Sequence, residues 1–139
     1  MKNPAHEMIG YQADLGPGYW GALYDESRRN KVLASPDSNL VKRFLKINDW
    51  NDYEITAVKN RIRIKINNTT TVNYLELDST IAQAGFIGLQ VHGGGKTRIG
   101  YKNITISKIS PSWSGFRPPS ACAIWPNAPR GAAGTPQFP

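Results

Sequence analysis

Two short runs of the chain place polar side chains two positions apart, the spacing that brings them to one face of a strand. Gln12 and Asp14 alternate with Tyr11, Ala13 and Leu15, and Gln90 and His92 alternate with Ile87, Leu89 and Val91. With both strands in one sheet, a carboxylate, an imidazole and two amides would share a surface. Amides and carboxylates offer the paired acceptors and donors that sugar hydroxyls need. A histidine beside an aspartate suits general acid–base work near neutral pH. The same spacing also describes the ordinary wet face of a half-exposed sheet, so spacing alone leaves both readings open.

The stretch after Tyr24 adds Asp25, Glu26, Arg28 and Arg29. Alternating charges of this kind usually pair with one another and with water. In the functional reading, Glu26 is a second carboxylate and Arg28 holds an oxyanion or a sugar oxygen. Trp20 and Tyr24 flank the region, and an aromatic ring can either stack on a pyranose or fill a core. His92-Gly93-Gly94-Gly95-Lys96 lacks the spacing of a phosphate-binding loop, and no helical pattern follows it. His6 and His92 form no metal-ligand spacing.

The elements that must position these groups are mostly strands. Residues 8–15 predict a strand that stops at Gly16-Pro17-Gly18, with residues 19–24 returning as the second arm of a hairpin. A short strand is expected at Lys31–Ala34. Ser35-Pro36-Asp37-Ser38 is a helix-start signal, and Leu40, Val41, Phe44 and Leu45 follow at helical spacing, which predicts one short helix near 37–45. In 52–59, Tyr53, Ile55 and Ala57 alternate with polar residues. In 61–67, Ile62, Ile64 and Ile66 alternate with Arg61, Arg63 and Lys65. The pair reads as a hairpin turning at Lys59-Asn60, with further strands expected at 70–75, 85–92 and 98–108. No βαβ alternation and no internal repeat occurs. The fold class is therefore all-β, an antiparallel sandwich of the jelly-roll kind.

Composition limits the partners. The 139 residues carry 17 basic and 10 acidic side chains, a net charge of +7, and 40% are hydrophobic. That is the profile of one globular domain. No apolar run is long enough to span a membrane, the first residues have no signal-peptide core, and one cysteine, Cys122, excludes an internal disulfide. No aromatic residues interleave with the cations of 61–65 as a nucleic-acid stacking platform requires, so those cations read as a solvated, protected face. Residues 110–139 hold seven of the ten prolines and no acid. They read as a disordered tail behind a body of 1–109.

Five stretches in order carry a resemblance. They are 10–16 (GYQADLG), 20–30 (WGALYDESRRN), 49–55 (DWNDYEI), 88–94 (GLQVHGG) and 101–106 (YKNITI). Over about residues 6–109 the chain resembles the 3-keto-disaccharide hydrolase domain. The resemblance implies a concanavalin-like jelly roll in exported or periplasmic bacterial proteins that degrade oxidised glycosides. A 3-keto group acidifies the C2 hydrogen, so a base can remove it, the C1 glycosidic bond leaves, and hydration completes net hydrolysis. It further implies His92 with Glu26 or Asp14 as the acid–base groups, and Gln12, Gln90 and Arg28 as holders of sugar or enolate oxygens. A divalent metal steadying the enolate, on the same acidic and imidazole groups, is compatible with it. The chain departs from the family by starting immediately before the GYQAD strand and by its proline-rich end. It is therefore expected to be an N-terminally truncated fragment with about six or seven of a jelly roll's eight strands. The rival expectation is a lectin-like carbohydrate-binding module without catalysis, since sandwiches of this shape serve both roles.

Overall fold

The computed structural model describes residues 8–91, 98–109 and the strand at 123–126. The element order is β1 (Gly10–Ala13), β2 (Leu23–Glu26), β3 (Lys31–Ala34), α1 (Ser38–Phe44), β4 (Asn51–Val58), β5 (Arg61–Ile66), β6 (Thr69–Leu75), β7 (Ile99–Lys102) and β8 (Ala123–Pro126). All strand pairs are antiparallel. One sheet runs β1-β2-β3 and the other β6-β5-β4-β8-β7. The protein is an all-β antiparallel sandwich with one short helix.

The core lies where period-two strands from the two sheets meet. Ile62, Ile64 and Ile66 of β5 are buried, and they pack with Tyr53 of β4, Val72 of β6 and Leu23 of β2. The alternate β5 residues, Arg61, Arg63 and Lys65, line the wet face, where Lys65 pairs with Glu54 at 3.2 Å and Arg61 donates to Asn73. The expected inward row of β4 ends early. Tyr53 is buried, but Ile55 and Ala57 are exposed. Asn67 and Asn68 both have positive φ, the conformation of the two-residue turn that matches strand twist, and they join β5 to β6. Asn51, fully buried, accepts from the Lys46 amide and from Asn67 Nδ2, tying the end of α1 to β4. Asp37 caps α1 through the Asn39 amide at 2.7 Å.

Three expectations change. The return arm of the first hairpin is Leu23–Glu26 and not 19–24, because residues 16–21 form turns that use positive φ at Gly16, Gly18 and Gly21. A Cβ on Gly21 would meet Thr71 Oγ1 at 2.7 Å, so this turn presses directly onto β6. Residues 85–91 form no strand, and the expected 98–108 strand is limited to Ile99–Lys102. The edge of β4 that could receive them is taken by β8, from the proline-rich region, which pairs with β4 on one side and β7 on the other. Phe86, Ile87, Leu89 and Val91 consequently remain exposed, Phe86 by 95%. Among the described residues no helix is long and apolar enough to cross a membrane.

Candidate functional site

Strands β1 and β2 sort their side chains by alternation. Gly10 lies opposite Glu26 and Gln12 opposite Tyr24, so Gln12, Tyr24 and Glu26 share the outward face. Asp14 continues this row beyond the strand. Its amide donates to the Ala22 carbonyl at 2.9 Å, and its carboxylate accepts from Gln12 Nε2. Beneath it, the Tyr53 hydroxyl donates to the Asp14 carbonyl at 3.1 Å. Burial, reinforced by the charges of Asp14 and Tyr101, keeps that phenol protonated well above the usual tyrosine range. Ser27 Oγ lies 3.3 Å from Glu26 Oε1 and donates to it. A Cβ added at Gly10 would meet nothing within 4 Å, so the space opposite Glu26 is open.

The inward face of the same strands carries different chemistry. Asp25, fully buried, lies opposite Tyr11, and both face the second sheet. Arg28 Nε donates to both Asp25 oxygens at 2.9 and 3.1 Å, and its guanidinium stacks 4.6 Å over the Tyr11 ring. Arg28 Nη2 is 2.7 Å from Asp25 Oδ1 but lacks the alignment of a hydrogen bond. Arg29 reaches two carboxylates, pairing through Nε with Asp25 and through Nη2 with Glu76 Oε2 at 2.6 Å. Glu76, 3% exposed, lies just past β6 in the other sheet, and it also accepts from the hydroxyls of Tyr11 at 2.7 Å and Tyr74 at 3.1 Å. The Arg29 hydrogen bond overrides burial and holds the Glu76 carboxyl well below the usual carboxylate range. Burial works to raise Asp25, but the two arginines prevail and lower it.

The residues singled out by sequence therefore divide. Gln12, Asp14, Tyr24 and Glu26 come together. Arg28 does not join them, because Asp25, three residues earlier and buried, draws it to the opposite face. Trp20 packs against the hydrophobic core. Gln90 is exposed on an irregular segment, where its carbonyl accepts from the Tyr101 hydroxyl at 3.2 Å. His92 and His6 lie outside the described residues. Asp14 and Glu26 are oxygen donors of the type a hard divalent cation takes. Among the described residues, however, no three His, Cys, Asp or Glu side chains gather to hold one, so no chemical step is derived through a metal. Cavities of about 330 Å³, beside Asn60, Asp78 and Gln83, and about 240 Å³, beside Thr56 and Arg63, lie away from the outward row.

Sequence reasoning missed Glu76, Tyr11 and Tyr74. Glu76 stands 47 residues from Arg29, and no local pattern announces a partner at that distance. The usable signal was Asp25 with arginines three and four positions later, at the end of a strand whose alternate residue is Leu23.

The family model described as the 3-keto-alpha-glucoside-1,2-lyase-like domain, the 3-keto-disaccharide hydrolase, matches residues 1–107. No curated protein and no solved structure matches the chain.

Proposed function

The chain belongs to the 3-keto-alpha-glucoside-1,2-lyase-like domain family, and from that premise we propose that it cleaves 3-keto-glycosides by elimination and hydration. The observation that carries this reading is the convergence of Gln12, Asp14, Tyr24 and Glu26 on one open sheet face. A base, Glu26 or Asp14, takes the proton from C2 of the 3-keto sugar. The C2–H electrons form the enolate, with negative charge on the C3 oxygen. The amide of Gln12 donates to sugar or enolate oxygens. The C1–O bond breaks as the enolate collapses, and the departing oxygen takes a proton from an acid, the role assigned to His92. Water then adds across the C1–C2 double bond, oxygen to C1 and proton to C2, so nothing is oxidised or reduced. Tyr24 offers a ring edge or face to the pyranose. The family's association with exported bacterial proteins makes a periplasmic or secreted location part of the same proposal.

The test is incubation of the full chain with a 3-keto-disaccharide, beside His92→Ala and Glu26→Ala. Release of the monosaccharides is expected, with each substitution lowering the rate by roughly 10²–10⁴-fold. Release that survives both substitutions would sink the assignment. A second reading, a carbohydrate-binding module without catalysis, rests on the same open sheet face, since sandwiches of this shape serve both roles. Sugar binding without turnover by the intact chain would decide for it.

A further inference from the structure

The turn between β2 and β3 links the outward row to the buried charge cluster. Its Ser27 and Asn30 adopt left-handed φ of 54° and 49°, a region that serine visits rarely. Such a backbone persists where hydrogen bonds within the turn and contacts from outside it act together. Within it, the Asn30 amide donates to the Asp25 carbonyl at 2.8 Å, and the Ser27 amide donates to Asn30 Oδ1 at 3.0 Å. This arrangement sets the Ser27 hydroxyl against the Glu26 carboxylate. Arg29, two residues after Ser27, is anchored from the other sheet. Its Nη1 and Nη2 donate to the two oxygens of Glu76 at 3.3 and 2.6 Å, while its Nε pairs with Asp25. A fork gripping two buried carboxylates fixes a side chain far more rigidly than a single contact.

We propose that Glu76 is a positioning residue for Glu26: through Arg29 and Asp25 it holds the β2–β3 turn in the conformation that lets Ser27 orient the Glu26 carboxylate. Glu76 does not reach the outward face and touches no substrate. Without its carboxylate, Arg29 retains Asp25 alone, the turn loses its tie to the second sheet, and Glu26 samples several orientations. The proposal rests on the reading of Glu26 as an acid–base group.

The experiment compares the full chain with Glu76→Gln, Ser27→Ala and, as a control, Glu54→Gln on the solvated face. On a 3-keto-disaccharide, Glu76→Gln is expected to lower kcat about tenfold, with KM within about twofold. In a Glu26→Ala background it should cost nothing further, because its effect passes through Glu26. Losses that add in that background, or a change confined to KM, would overturn the proposal. A wild-type chain without turnover defeats the enzymatic reading alone. The carbon-13 signal of the Glu26 carboxyl then decides the positioning, by moving in Glu76→Gln and Ser27→Ala and not in Glu54→Gln, or by staying put in all of them. Should Glu76→Gln fail to fold, Arg29→Lys, which keeps the charge but loses the fork, is read in the same ways.

Discussion

The two faces of the β1–β2 ladder are built from neighbouring residues and behave as different materials. On the inward side, Asp25, Arg28, Arg29 and Glu76 pair their charges beside the Tyr11 hydroxyl, with Asp25 fully enclosed. On the outward side, Gln12, Asp14, Tyr24 and Glu26 keep part of their surface in solvent. Asp25 and Glu26 differ by one position and one methylene, yet one carboxylate is buried between two arginines and the other keeps part of its surface in solvent. Strand alternation, more than residue type, decides which role a carboxylate takes.

The sharpest way to break this contrast is to delete each member of the Asp25–Glu26 pair. Asp25→Ala leaves two guanidiniums facing Tyr11 and a single remaining carboxylate, and is expected to destabilise by about 3–5 kcal/mol in urea unfolding. Glu26→Ala should fall within about 0.5 kcal/mol of wild type in the same measurement. Equal losses would erase the distinction.

Acid probes the same boundary less severely. The carboxyls of Glu76 and Asp25 both lie below their ordinary values in the folded chain. A depressed carboxyl adds stability above its unfolded pKa and loses it as pH falls through the folded one. The melting temperature is thus expected to hold between about pH 7 and 5 and to fall below about pH 4, the ordinary carboxylate range. Glu76→Gln should melt lower at neutral pH and lose less on acidification, since one of the two groups no longer titrates. A wild-type curve parallel to that of the variant would show that the Glu76 carboxyl contributes nothing.

The smallest effect separates Tyr11 from Gln12. Tyr11→Phe removes a 2.7 Å hydrogen bond to a buried carboxylate and is expected to cost about 1.5–3 kcal/mol by thermal or urea unfolding. Gln12→Ala should change stability by about 0.5 kcal/mol or less, while weakening sugar binding.

Legibility in the sequence followed the range of the interaction. The β4–β5 hairpin with its turn at Lys59-Asn60, the helix start at Asp37-Ser38 and the shared face of Gln12 and Asp14 all arise from neighbours within a few positions, and each is readable. Arg28 lies on the inward face because β2 continues to Glu26, where the pattern of 19–24 predicts an end at Tyr24. That shift hid the inward direction of Asp25. The Arg29–Glu76 bridge joins two sheets, and no periodicity encodes such a pair. Residues 85–91 show the converse. Their alternation is real, but alternation names a face and not a partner, and the place beside β4 went to Ala123–Pro126.

That unpartnered run also bears on how the protein behaves at high concentration. Phe86-Ile87-Gly88-Leu89-Gln90-Val91 is a six-residue window with no charge and no proline, and its four large apolar side chains are exposed. Such a window is the signature of cross-β stacking between molecules. The counterweight is the net charge of +7, which repels copies of the chain from one another. Salt weakens that repulsion once the Debye length drops to about 8 Å near physiological ionic strength. Colloidal stability should therefore be set by ionic strength sooner than by heat, and a single Leu89→Lys substitution would widen the range of conditions in which the chain stays dispersed.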